Sequence, residues 1–396
     1  MVQTRNIHFA QEYMRSNGLD GWLIHDYRNR NPILTTFIGQ TNMITRPVFL
    51  WIPQSGKPSI IAHHVDIGRF NAEQLNIVDY FNYNSLRNTL GTILRQVSFV
   101  AMEYSPMAEI PRSSYVDAGT IELVKETGVS ISTSADLIQY ATQRWSEEQL
   151  DSHINASNAL TLSVQSAFSY IAENIDSHLT ESTVANMLRK SLESEGLIAP
   201  DGPVVAVDNH SNDPHYLPEP DKDYEIVDGS WILIDIWGKQ NKSNSVFADI
   251  TWVGYVGNSI PDRYQEIFQI VVKARDKAFE YIESSFRDGG YPRGMDVDAI
   301  ARDFIADHGY SKYFTHRLGH SLGLDVHGDA VNLDGWETND SRHLMAGLGL
   351  TIEPGIYLPE FGMRSEIDIF LTESGPKLTT KKQEDIFRIN PQHRTL

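Results

Sequence analysis

The 396-residue chain contains no cysteine, which excludes disulfides, thiolate metal sites and a cysteine nucleophile. Nowhere does it offer the roughly 18 uninterrupted apolar residues that a membrane-spanning helix needs. Basic side chains are also scarce: 33 Lys and Arg stand against 52 Asp and Glu, a formal charge of −19. Phosphate binding needs clustered Lys and Arg, so neither nucleic acid nor an anionic membrane is an expected partner. There is no low-complexity tract, and the first third shows no Gly-rich phosphate loop. The opening stretch MVQTRNIHFAQEYMRSNG lacks the apolar core of a signal peptide, and a cytoplasmic location is the expectation. What is present is ordinary globular composition, 41% hydrophobic and 21% charged, in a chain long enough for two domains.

Short apolar runs alternate with helical patterns in the first third. WLIHD from Trp22, VFLWIP from Val48, SIIAHH from Ser59 and VSFVAMEY from Val97 read as strands, and the segment Tyr115 to Glu126 reads as a helix. This predicts a small α/β domain over residues 1–145. A second unit, 146–396, opens on a capping box made by Ser146 and Gln149. Four helices are expected in it. The first carries Val164, Phe168, Ile171 and Ile175, and the second starts near Thr180. The third runs from about Pro261 to Phe286, and the fourth buries Val297, Ile300 and Phe304. The strand-like runs WILIDIW, ADITWVGYV, LGLTIEPGIYL and SEIDIFLT complete an α+β domain of helices on a mainly antiparallel sheet.

Charged residues inside those runs carry the chemistry. A buried carboxylate costs several kcal/mol unless a charge or metal compensates it, yet Asp235, Asp249, Glu353 and Glu366 all interrupt apolar strand sequence. Beside them stands THRLGHSLGLDVHG, with His316, His320 and His327 among small residues. Four carboxylates and one imidazole make an oxygen-rich donor set that suits Mn²⁺, Co²⁺, Fe²⁺ or Zn²⁺.

LIDIWG, ADITW, GHSLGLDVHG, TIEPGIY and MRSEID resemble the five ligand-bearing motifs of the pita-bread metallopeptidases, a family that includes aminopeptidase P, prolidase and methionine aminopeptidase. The amino-terminal third resembles the creatinase-like domain that accompanies the proline-directed members. The resemblance implies two divalent metal ions, with Mn²⁺ expected and Co²⁺, Zn²⁺ or Fe²⁺ fitting the same donors. Asp235, Asp249, His320, Glu353 and Glu366 would be the ligands. Hydrolysis of Xaa-Pro peptide bonds by a metal-bridging hydroxide is implied, with Glu353 shuttling the proton and His327 and His215 in catalytic positions. His316, Arg364 and Arg342 would contact the substrate. A small peptide is the implied substrate, and a homodimer the implied assembly, with the loop YRNRNPILTTFIG at the cleft rim.

The chain departs from the family pattern in several places. Asp235 and Asp249 stand further apart than in the family's hairpin, which calls for a lengthened turn or a bulge. Trp237 replaces a glycine, Trp252 follows Thr251 in place of arginine, and the last motif reads Glu366-Ile367-Asp368. These changes keep the ligand types and bear on the rim. The alternative is therefore the same fold and metal site acting on a non-peptide substrate, as in an amidinohydrolase or lyase. A dipeptidase also needs a cation for its substrate's carboxylate, and Arg317, Arg342 and Arg364 are the candidates.

Overall fold

The computed structural model describes residues 3–39, 41–71 and 73–391; the ends of the two expected domains, 1–2 and 392–396, lie outside these. Contacts divide the chain into two compact units, Met1–Arg144 and Trp145–Leu396.

The first unit is built on a six-stranded mixed sheet. The Gly21–Asp26 strand lies centrally, antiparallel to Val48–Pro53 and parallel to Phe99–Met102. Both faces are covered, so Gly21–Asp26 is buried along its whole length and Val48–Pro53 up to its last residue. Successive side chains point to opposite faces. Trp22, Ile24, Leu50 and Ile52 thus pack with Ile7, Ala10 and Met14 of the first helix. Leu23, Phe49 and Trp51 pack with Leu86, Leu90 and Val124 on the other side. The segment expected as a rim loop is in part a helix, Pro32–Ile38, capped by Asn31 and buried through Ile33, Leu34 and Phe37.

The second unit has the expected α+β character. Its backbone is a long antiparallel hairpin, Trp231–Gln240 against Ala248–Val256, with Asp235 opposite Thr251 and Trp237 opposite Asp249. The register is unbroken from Tyr255 to Ala248, so the extra residues of this hairpin lie in its turn and form no bulge. A second, four-stranded antiparallel sheet contains Gly349–Ile352 beside Ile367–Thr372.

Helices cover the outer faces. Glu147–Asn174 opens on the Ser146–Gln149 capping box and lays Leu160, Val164 and Phe168 on Ile232, Ile234, Ile236 and Ile250 of the hairpin. Asp262–Arg287 and Gly294–Asp307 lay Val271, Ala278 and Ile305 on Leu350, Ile352, Ile367 and Ile369. The buried stripe of the latter helix is Val297, Ala301 and Ile305; Ile300 and Phe304 are only half-buried, and Phe304 lies under Lys277 Nζ at 5.2 Å. Strand alternation then fixes what faces inward. With Ile234, Ile236 and Ile250 turned to one helical layer, Asp235, Trp237, Asp249 and Thr251 project to the opposite face. With Leu350, Ile352, Ile367 and Ile369 turned to the other, Thr351, Glu353, Glu366 and Asp368 face inward from the second sheet.

Candidate metal-binding active site

Those two inward faces border a cavity of about 440 Å³ lined by Asp235, Asp249, His320, Glu353 and Glu366, together with His215, His316, His327, Arg317 and Arg364. Ligand atoms of Asp249, His320 and Glu366 lie within 4.8 Å of one another. His320 Nε2 is 3.8 Å from Asp249 Oδ2 and 3.5 Å from Glu353 Oε1. Its Nδ1 lies 3.2 Å from the Ser321 carbonyl, so the proton sits on Nδ1 and the Nε2 lone pair is offered to the carboxylates.

The backbone around His320 is pinned. Its N–H donates to Thr351 Oγ1 at 3.0 Å, and its carbonyl accepts from Thr351 N–H at 2.9 Å. A Cβ on Gly319 would fall 2.2 Å from the Thr351 carbonyl oxygen, so only glycine permits this approach. Upstream, Arg302 is held bidentately by Asp298 and donates to the carbonyls of Phe314 and His316 at 3.0 and 2.8 Å.

Arg364 is the cation in direct contact with Asp235. Arg364 donates to Asp235 Oδ2 at 2.5 Å, to Thr251 Oγ1 at 2.9 Å and to the Tyr357 hydroxyl at 3.0 Å. Thr251 Oγ1 passes the order on, donating to Glu366 Oε2 at 2.7 Å. Tyr357 in turn donates to His316 Nε2 at 2.7 Å, because His316 Nδ1 donates to the Arg317 carbonyl at 2.6 Å. Burial and the nearby Arg364 push His316 down to about 3, which keeps the ring neutral and the relay intact. Asp368, buried behind the site, accepts the Asp249 N–H at 2.9 Å.

Compensation is incomplete. Burial first, then repulsion from Glu366 and Asp235, raises Asp249 well above the usual carboxylate range. Glu366 is raised well above its range by burial, then by Glu353 and Asp235. Burial lifts Glu353 to about 7, against the pull of Arg364 and Arg317. Asp249 Oδ1 is buried with no hydrogen-bond partner. An orphaned acceptor among like charges, facing an imidazole lone pair, is what a cation-binding donor set requires. Divalent metal ions fit these residues.

The remaining expected residues fall in three groups. His327 lines the cavity with its ring 4.4 Å from that of His320, at 88° to it. His215 lines it from an exposed turn. That turn belongs to a segment anchored by buried Glu181, which accepts from Val207 N–H at 2.6 Å, Tyr224 N–H at 2.8 Å and the Tyr216 hydroxyl at 2.6 Å. His316 and Arg364 reach the cavity with their polar atoms engaged by protein groups. Arg342 is a correction: it does not belong to the cavity lining. Its guanidinium is bound bidentately by Asp340 at 2.9 and 2.6 Å and donates to the Asp329 carbonyl at 2.8 Å. Trp252 likewise is no rim residue, since it packs in the apolar cluster on the far side of the hairpin, whereas Trp237 does line the cavity.

Sequence reasoning missed Tyr357, Glu181 and the linking role of Thr251. Tyr357 had a signal, as the phenol-bearing residue of TIEPGIY in a buried strand. Glu181 had none, because its partners come from a distant irregular segment.

The sequence profile of metallopeptidase family M24 matches residues 158–373. An Xaa-Pro dipeptidase of Pyrococcus horikoshii is 36% identical over 168 residues, covering 41% of this chain and 43% of the relative. An Xaa-Pro dipeptidase of Pyrococcus furiosus is 33% identical over 184 residues, covering 46% and 48%. The chain thus spans about half the length of the relatives it matches. Among solved structures, a dipeptidase, PepE, of Mycobacterium ulcerans aligns over 98% of both chains with a TM-score of 0.71 and 22% identity, a likeness of fold. With more than half of its length matched by the profile and its fold shared with such an enzyme, the chain belongs to metallopeptidase family M24 and has the pita-bread fold.

Proposed function

We propose that this protein hydrolyses Xaa-Pro peptide bonds, using two divalent metal ions held by Asp235, Asp249, His320, Glu353 and Glu366, with Mn²⁺ as the working ion. The observation that carries this reading is the buried carboxylate cluster, in which Arg364 pairs with Asp235, Asp249 Oδ1 has no hydrogen-bond partner, and the carboxylates face the His320 lone pair. The relatives named Xaa-Pro dipeptidases support the substrate class. When bound, the ions would supply Lewis-acid polarisation of the scissile carbonyl and acidify water toward neutral pH.

The chain's own groups supply the rest. Glu353 takes a proton from the attacking water and delivers it to the proline nitrogen as the C–N bond breaks, a role suited to a carboxylate with raised proton affinity. Arg364 holds Asp235 in one orientation and, through Thr251, fixes Glu366. His327 and His215 stand on the cavity wall as hydrogen-bonding groups for the peptide.

The test is hydrolysis by chelated and Mn²⁺-reconstituted protein of Xaa-Pro dipeptides, Xaa-Pro-Yaa peptides and proline-free controls. Metal-dependent cleavage confined to the proline-containing peptides is expected. Bound metal without any peptide cleavage would refute the reading and transfer the site to non-peptide chemistry.

A further inference from the structure

The cavity wall carries two arginines, and they are not equivalent. Arg364 is consumed by Asp235, Thr251 and Tyr357, and its side chain is only 5% exposed. Arg317 is 23% exposed, and its guanidinium meets Glu337 through one long contact, Nη1 to Oε2 at 3.4 Å. Its Nε is buried with no hydrogen-bond partner. A guanidinium has five donors in a planar fork that matches a carboxylate, and a partly exposed ion pair of this kind is weak. Arg317 therefore has donors to spare on the wall of a cavity otherwise rich in negative charge.

The position is preorganised. The Arg317 N–H donates to Glu337 Oε1 at 2.9 Å. Glu337 itself sits in a loop folded around buried Asp334, which accepts from the N–H groups of Trp336, Glu337 and Thr338 at 3.0, 2.9 and 3.1 Å. Arg317 is also held from behind, since Arg302 fixes the neighbouring His316 carbonyl.

We infer that Arg317 is the specificity determinant that receives the free C-terminal carboxylate of the substrate, with Glu337 as the internal carboxylate it exchanges for or shares with that group. Resting on the proposed Xaa-Pro hydrolysis, this selects the substrate class: dipeptides, whose carboxylate belongs to the residue after the scissile bond, over longer or C-terminally amidated peptides.

The experiment compares kcat/KM for an Xaa-Pro dipeptide, its C-terminal amide and an Xaa-Pro-Yaa tripeptide in Mn²⁺-loaded wild type, Arg317→Met and Glu337→Gln. Wild type prefers the free acid. Arg317→Met lowers the acid-to-amide ratio by about 10- to 100-fold, the loss of one charge-assisted carboxylate contact. Glu337→Gln, which removes the competing carboxylate, raises the ratio, and a merely structural lesion would not give opposite signs in the two variants. An unchanged ratio in both variants, or a wild type that prefers amide or tripeptide, overturns the assignment while leaving Xaa-Pro hydrolysis standing. A wild type that cleaves no Xaa-Pro bond overturns the underlying reading, and the inference with it.

Discussion

Replacing Asp249 by Asn should move stability in opposite directions with and without metal. In the metal-free protein Asp249 is 5% exposed, its Oδ1 has no partner, and burial and the neighbouring Glu366 and Asp235 raise its proton affinity. A buried acceptor left unsatisfied costs about 1–3 kcal/mol. Asn keeps the shape, removes the charge and brings two donors to the adjacent carboxylates, so metal-free Asp249→Asn should be more stable by about that amount. For a unit of this size each kcal/mol is worth about 2–4 °C in Tm.

Metal reverses the order. An ion at a hundred times its Kd stabilises the wild type by about 2.7 kcal/mol, and the variant, short of a ligand, should lose most of that gain. The pH dependence has a definite sign. The folded-state proton affinities of Asp249 and Glu366 lie above the ordinary values of 3.8 and 4.5. The contribution of these two groups to the metal-free wild type is therefore greatest below those values and is lost as pH rises through the elevated range. The advantage of Asp249→Asn should widen over that interval. Thermal melts of chelated and Mn²⁺-loaded protein across pH read all three effects. A variant that is less stable when metal-free yet shows the full Mn²⁺ shift would refute the reasoning.

Glu353→Gln should lower kcat by about 10²–10⁴-fold, the usual worth of a general acid–base, while four ligands still retain metal; normal turnover, measured beside metal content, would end the proton-shuttle role. Gly319→Ala should weaken metal binding, because its Cβ would collide with the Thr351 carbonyl at 2.2 Å and shift His320; a metal-titration curve matching wild type would show that the strand spacing is not critical. In the first unit, Glu103 is fully buried and lifted to about 7 against hydrogen bonds from Trp22, Asn31 and Ser134. Its neutral form is the one folding favours, so its contribution is present below about 4.5 and disappears as pH rises through 7, a swing of about 3 kcal/mol. Melts across that range should show a slope that Glu103→Gln lacks, and identical slopes would contradict the burial argument.

The strands and the carboxylates were legible for one reason: a charged residue in an apolar alternation must face something that compensates it. Asp235, Asp249, Glu353 and Glu366 announce themselves in this way, and the structure brings them to one cavity with His320. The same alternation, applied to the hairpin, would also have separated Trp237 from Trp252, since Trp237 shares the parity of Asp235 while Trp252 falls on the opposite face from Thr251. Arg342 was not legible. Its partner Asp340 is two residues away in an irregular loop, where no periodicity says which way a side chain turns. In the Gly294–Asp307 helix Val297 is buried as expected, but the stripe continues through Ala301 and Ile305, one residue beyond the expected Ile300 and Phe304, and Phe304 takes a half-buried place beside Lys277. The clamp formed by Arg364, Thr251, Tyr357 and His316 joins residues from separate motifs, and only their meeting in space reveals it.

The central claim is that five side chains form one dinuclear hydrolytic centre. Its most direct test is titration of chelated protein with Mn²⁺, following bound metal per chain and cleavage of an Xaa-Pro dipeptide in the same samples. The account predicts that activity rises with occupancy and saturates at two ions per chain. It also predicts that Asp249→Asn and Glu366→Gln lose activity and stoichiometry together. Full activity in the presence of a strong chelator, or two ions bound normally by both variants, would contradict it.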